Sequence, residues 1–247
     1  ASLTNAASGT LLLLTTSATA VRASTGTAVI NNQGTLLKAN AGSTDLGSAG
    51  ATSFGNSGLI NVSGGTLGVL GTFTQTGVIE VGSGATFLAV GLTNGAGGEL
   101  RGNGSIGVTG GSPLLNQGLV SPGGTGVVGA LTLTGAVNLT GGTLAIDLAG
   151  TSAGSFDRLI TTGPTLQLGG ALVATLRGSY APANADFMPV LLASGSVAGS
   201  FASTNLPSGF VAGYSLAAGE AVRLVYSTAG TTRIFTNAAG NLDWSTP

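Results

Sequence analysis

The chain has 247 residues, a net charge of −1, 45 glycines and a charged fraction of 6%, against about 25% charged residues in an ordinary soluble domain. Its apolar fraction of 43% is enough for a sizeable core, which excludes a disordered polyelectrolyte, and its glycines keep no three-residue period, which excludes collagen. With no His and no Cys, Ser-His-Asp and Cys-His catalysis, imidazole and thiolate metal sites and disulfides are excluded as well.

Near-neutral charge gives no electrostatic reason to bind nucleic acid or an anionic membrane. No apolar run approaches the length of a transmembrane helix, so no membrane insertion is expected of this segment. The start at Ala1 without Met is expected of a processed product or an excised piece, and no signal peptide is visible.

From the first residues onward the texture is that of short strands between tight turns. Ser17 to Ser24 has helix-compatible residues but no apolar stripe of period 3.6, and reads as a loop or strand. A marker then recurs: a small polar residue, any residue, Gly, and two residues that read as the start of a strand. It is Asn32-Gln33-Gly34-Thr35-Leu36, Asn56-Ser57-Gly58-Leu59-Ile60, Gln75-Thr76-Gly77-Val78-Ile79 and Asn116-Gln117-Gly118-Leu119-Val120. A further copy falls near Asn94-Gly95 or Gly98. The spacing, about 20 residues with insertions, is that of a solenoid repeat.

Each copy leads into alternation of period two, as in Ile60 and Val62, or Ile79 and Val81. That is the mark of a half-buried strand. Two or three short strands per repeat describe one coil of a parallel β-helix, whose open edges and apolar face are satisfied by stacking. The turn residues Asn32, Gly34, Asn56, Gly58, Gly77, Asn116 and Gly118 are expected to matter structurally. Gly and Asn supply positive φ, and the amides are placed to stack as a ladder.

Near residue 129 the marker stops and alternation becomes nearly continuous through Leu131, Leu133, Val137, Leu139, Leu144, Ile146 and Leu148. Pro182, Pro189, Pro207 and most aromatics follow. The organisation expected is β-helix coils over 1–150, an antiparallel cap over 151–228, and a linker or docking strand over 229–247. In that last segment Ile234, Phe235 and Trp244 are the candidate anchors. The fold class is all-β: a right-handed parallel β-helix with a C-terminal antiparallel cap.

The segment from Asn116-Gln-Gly-Leu-Val-Ser-Pro-Gly-Gly through Gly129-Ala-Leu-Thr-Leu-Thr-Gly to Gly141-Gly-Thr-Leu-Ala-Ile-Asp-Leu resembles the passenger β-helices of bacterial autotransporters and haemagglutinin-like adhesins. Phe156-Asp157-Arg158-Leu159 and Leu168-Gly169-Gly170-Ala171-Leu172 resemble the region that ends such passengers, and Phe187, Phe201-Ala202 and Asn205-Leu206-Pro207 continue the likeness. It covers about half the chain and speaks to architecture more than to activity. The resemblance implies an extracellular, cell-surface adhesive or biofilm role. No segment matches the family's outer-membrane barrel or its catalytic domains.

Carboxylates are few: Asp45, Glu80, Glu99, Asp147, Asp157, Asp186, Glu220 and Asp243. Glu80 and Glu99, one coil apart with Arg101 beside them, are the pair most like a glycosidase's. The plainer reading is a solvated Glu-Arg group. Asp157-Arg158 reads as a turn-fixing pair, and the Gly strings lack the strand-loop-helix context of phosphate cradles. The expectation is a structural or adhesive module with no catalysis, cofactor or metal, joined end to end with copies of itself and facing a host surface or matrix polysaccharide. The alternative is a polysaccharide-degrading or carbohydrate-binding β-helix protein.

Overall fold

The computed structural model describes residues 2–15, 19–21, 28–47, 52–214 and 219–228. These form 26 strands and no helix. The chain is a parallel β-helix, and each coil runs through three faces in turn. The first coil sets the order: Ser2–Asn5 on face one, Thr10–Leu13 on face two and Thr19–Val21 on face three.

Face two shows the stacking most simply, as nine parallel strands in one continuous register. Thr10, Thr35, Leu59, Val78, Glu99, Leu119, Thr143, Ala171 and Ser203 are successive partners. The coil is shortest from Leu59 to Val78 and longest from Ala171 to Ser203. Faces one and three are fused where two long strands turn the corner between them. Thr66–Gln75 pairs with Ser43–Leu46 through its first half and with Thr52–Asn56 through its second.

Because successive strand residues point to opposite sides, each face sends one set of columns inward. Leu11, Leu36, Ile60, Ile79, Leu100, Val120, Leu144 and Leu172 make the column of face two. From Leu36 to Leu172 its members are buried. Ile79 is fully buried while Val78 and Glu80 on either side are partly exposed. Ile30, Phe54, Phe73 and Leu92 run down face one, and Leu67, Phe87, Ile106 and Leu133 down face three. The phenyl rings touch both along face one and across to face three: Phe73 lies 5.2 Å from Phe54 and 5.5 Å from Phe87, centroid to centroid. Each such side chain contributes about 1.5–3 kcal/mol by leaving water.

The expected boundary near residue 150 does not end the coils. Arg158–Thr161, Thr165–Gln167, Ala171–Leu176, Ser196–Ala198 and Ser203–Asn205 all continue the parallel stack. Among the described residues antiparallel strand pairing belongs to Glu220–Tyr226, which pairs with Phe187–Ala193 on one side and Phe210–Tyr214 on the other, apart from an isolated bridge between Leu148 and Phe156. The cap is therefore real but short. It occupies the ninth level of face three with a reversed strand and closes that edge. The coils past residue 130 lack the repeat marker because their corner no longer carries an amide: Leu139 and Leu168 stand there, both buried.

Candidate functional site

The corner between faces one and two is the most organised feature of the molecule. Asn5, Asn32, Asn56 and Gln75 are in register on consecutive coils. Their side chains form one directed chain: Asn5 Nδ2 donates to Asn32 Oδ1 at 2.7 Å, Asn32 Nδ2 to Asn56 Oδ1 at 2.7 Å, and Asn56 Nδ2 to Gln75 Oε1 at 2.5 Å. Each amide also ties the strand that follows, as Asn32 Nδ2 does to the carbonyls of Gly34 and Leu59.

The chain then breaks. Gln75 is one methylene longer, and its Nε2 turns to the Gly77 and Glu99 carbonyls. Asn94, its register partner, keeps a buried Oδ1 with no donor. The ladder resumes with Asn94 Nδ2 donating to Asn116 Oδ1 at 2.7 Å and ends at the Leu139 corner.

Gly34, Gly58, Gly77 and Gly118 line the same corner, but for a reason other than the one expected. None of the four stands in the left-handed region of backbone space. They are small because the coils touch: a Cβ on Gly58 would lie 2.1 Å from the Gly34 carbonyl oxygen, and one on Gly77 2.1 Å from that of Gly58. Those carbonyls accept from the next coil, Gly34 from Leu59 N–H and Gly58 from Val78 N–H, both at 2.8 Å. A side chain would displace the oxygen that pairs the strands. Ile234, Phe235 and Trp244 lie outside the described residues.

On face two Arg101 stands directly opposite Glu80. Its guanidinium donates to Glu80 Oε2 at 2.6 and 2.8 Å and to Glu99 Oε2 at 3.3 Å. Burial works against the Arg101 charge, but the two carboxylates outweigh it and its pKa stands above the ordinary arginine value. This outward, partly solvated group is worth about 0–1 kcal/mol per pair.

Asp147 and Asp157 form a second cluster, and both are buried. Asp157 accepts from Gly129 N–H at 2.7 Å and Asp147 N–H at 2.8 Å. Asp147 accepts from Gly126 N–H and from Arg177 Nε, both at 2.7 Å. Loss of water pushes the Asp157 carboxyl up to about 7, with the Asp147 charge adding to the rise and the two N–H donors and Arg177 opposing it. The cluster ties the 123–129 loop of one coil to the two coils that follow.

Lys38 is not singled out by its sequence. It occupies an inward position of face two, between Leu13 and Val62 in register, and is fully buried. Its ammonium donates to the Asn40, Gly42 and Gly64 carbonyls, and burial holds its pKa below the usual lysine value. Alternation from Leu36 puts Lys38 on the inward side, but its charge argues for the outside until the three carbonyls are seen.

Among the described residues no group of three or more His, Cys, Asp or Glu side chains is placed to hold a metal ion. One open cleft at the C-terminal end is lined by Ser208, Gly209, Phe210, Val211, Tyr226 and Thr228, with no carboxylate among its lining residues. No protein-family model matches the chain, and no curated protein matches it.

Proposed function

We propose that the chain is a structural and adhesive module of a bacterial surface protein or fibre, working outside the cell and without catalysis. The observation that carries this is the unbroken register of nine coils on face two, backed by columns on the other faces. Pairing that repeats on every side gives a stiff rod that holds its outer faces in fixed order. The ionisable side chains support the same reading. Arg101 is engaged by Glu80 and Glu99, Arg177 by Asp147, and Arg223 by Glu220. Asp157 is held by backbone N–H groups inside the stack. The sequence resemblance to autotransporter and haemagglutinin-like passengers adds support for the cell-surface setting.

The test is display of the chain on a non-adherent bacterial cell, scored for attachment to host cells and to matrix polysaccharide. The expected result is gained attachment that survives Glu80→Gln with Glu99→Gln. Absence of any attachment, or polysaccharide cleavage that the double change abolishes, would overturn the proposal.

A further inference from the structure

Two hollows lie on the outer side of face one. The outward column of that face runs through Asn31, Gly55, Thr74, Thr93 and Leu115, which are successive partners on consecutive coils. Its four steps span about 19 Å at ~4.8 Å each. The first hollow opens over Gly55, has a volume of about 190 Å³ and is walled by Asn31, Gln33, Ser57 and Thr74. The second opens beside Gly91, has a volume of about 480 Å³ and is walled by Val90, Thr93, Pro113 and Leu115.

Two glycines keep these hollows open, and the fold requires neither. Gly58 and Gly77 are forced by a carbonyl oxygen 2.1 Å from where a Cβ would stand. Gly55 and Gly91 face no such contact, and neither stands in the left-handed region of backbone space. A Cβ on Gly55 would meet only Asn31 Oδ1, at 3.1 Å, the end of an outward side chain that can swing aside. A Cβ on Gly91 would meet nothing closer than Ser112 Cβ at 3.8 Å. The bulge at the Gly91 corner does not explain it either, because the extra residue there belongs to the partner strand Thr66–Gln75. A glycine inside a strand weakens it, and where no bulge, bend or neighbouring backbone calls for one it marks a place that a ligand approaches closely.

The linings select the ligand. Neither contains a charged side chain, so an ionic partner finds nothing to pair with. The Gly55 hollow offers donors and acceptors: among the described residues the side chains of Asn31, Gln33, Ser57 and Thr74 have no hydrogen-bond partner in the protein. Its floor is firm, since Asn32 and Asn56 beneath it are bonded into the ladder. The Gly91 hollow offers apolar surface instead, with Val90 39% exposed and Pro113 exposed. A neutral sugar chain presents both kinds of surface, hydroxyls at its edges and apolar C–H groups on its ring faces.

We infer that face one binds a neutral polysaccharide running along the rod axis. Asn31, Gln33, Ser57 and Thr74 hydrogen-bond its hydroxyls at the Gly55 hollow, and Val90, Pro113 and Leu115 pack against its ring faces at the Gly91 hollow. This names the ligand class of the adhesive reading and rests on that reading.

Affinity electrophoresis of the full-length chain through gels containing dextran, mannan, galactan or a soluble β-glucan tests it, with heparin as the charged control. The expected result is retardation by at least one of the four neutral polysaccharides, undiminished by added salt. Gly55→Thr with Gly91→Val fills both hollows and is expected to abolish the retardation. The same pair should leave the urea midpoint equal or higher, because each position gains a strand-forming side chain. Asn31→Ala removes a free amide without filling space and should weaken the retardation about three- to tenfold; should the filled variant unfold early, Asn31→Ala decides alone. No retardation by any of the four, retardation by heparin alone, or retardation indifferent to these changes would each overturn the inference. In the surface-display assay, attachment that survives Gly55→Thr with Gly91→Val would remove this inference and leave the adhesive reading standing, whereas absence of attachment by the unaltered chain would remove the reading itself.

Discussion

The stack is built in two ways. From Asn5 to Asn116 the corner between faces one and two is polar, with buried amides bonded from coil to coil. From Leu139 to Leu168 the same corner is apolar. The face-two column runs through both regions without a change of chemistry. The amide region keeps its coils short, as from Leu59 to Val78 and from Val78 to Glu99. The leucine region lengthens them, from Thr143 to Ala171 and further from Ala171 to Ser203. The arc across this corner is no longer at the leucines than at the amides: Leu168 to Leu172 matches Asn32 to Leu36. The added length lies between faces two and three, at 149–157 and 177–186, where the longer coils carry the buried Asp147 and Asp157 cluster.

The largest expected effect concerns what the two regions share. Ile79→Asp in the amide region and Leu172→Asp in the leucine region should each cost roughly 3–5 kcal/mol in urea unfolding, since both place an unpartnered carboxylate in one apolar column. Glu80→Ala should change stability by under about 0.5 kcal/mol. Equal effects at Ile79 and Glu80 would show the inward register to be wrong.

Next comes a property of the leucine region alone. Asp157 has a folded-state value of about 7 against 3.8 ordinarily. The folded state therefore holds its proton more tightly than the unfolded chain does. Its stabilising contribution is fully present below about pH 4 and is lost as the pH rises to about 7, by up to ~4 kcal/mol. Melting temperature should fall across that window, and Asp157→Asn should flatten the slope even though it lowers stability throughout. A slope unaltered by Asp157→Asn would assign it to other groups.

The corner itself separates the regions. Asn32→Leu removes the side-chain acceptor of Asn5 Nδ2, the donor to Asn56 Oδ1 and the side-chain bonds to the Gly34 and Leu59 carbonyls, and should cost about 2–4 kcal/mol. Leu168→Met at the equivalent corner should cost less than about 1.5 kcal/mol. Similar losses from the two would mean that the corners do not differ in kind.

The smallest effect is a gain. Gln75→Asn shortens the one overlong rung, so that its amide can reach the unbonded Asn94 Oδ1. It should stabilise the protein by about 0.5–1.5 kcal/mol. No gain would indicate that Asn94 Oδ1 is satisfied by water.

The two regions also differ in how openly their sequence displays the fold. The amide-x-Gly marker and the alternation after it disclose coils two, three, four and six, because one residue type serves both contact and spacing. Past Leu139 the same contacts are made by leucine, which is common in any strand, so the two further coils beyond residue 150 read as a separate cap. Lys38 is hidden for a related reason: lysine is almost never fully buried, and only the geometry of three converging carbonyls explains it. The glycines are recognisable but easily misread, since nothing local distinguishes a glycine required by a neighbouring coil from one required by its own backbone.

The coils are joined through a buried, directed amide ladder that gives the rod its order. Hydrogen exchange of side-chain amides, followed by NMR, tests it most directly. The Nδ2 protons of Asn32, Asn56 and Asn94 are expected to exchange as slowly as the backbone amides of Ile60 and Ile79, while those of the exposed Asn205 exchange at the rate of free asparagine. Exchange of Asn32, Asn56 and Asn94 as fast as that of Asn205 would contradict it.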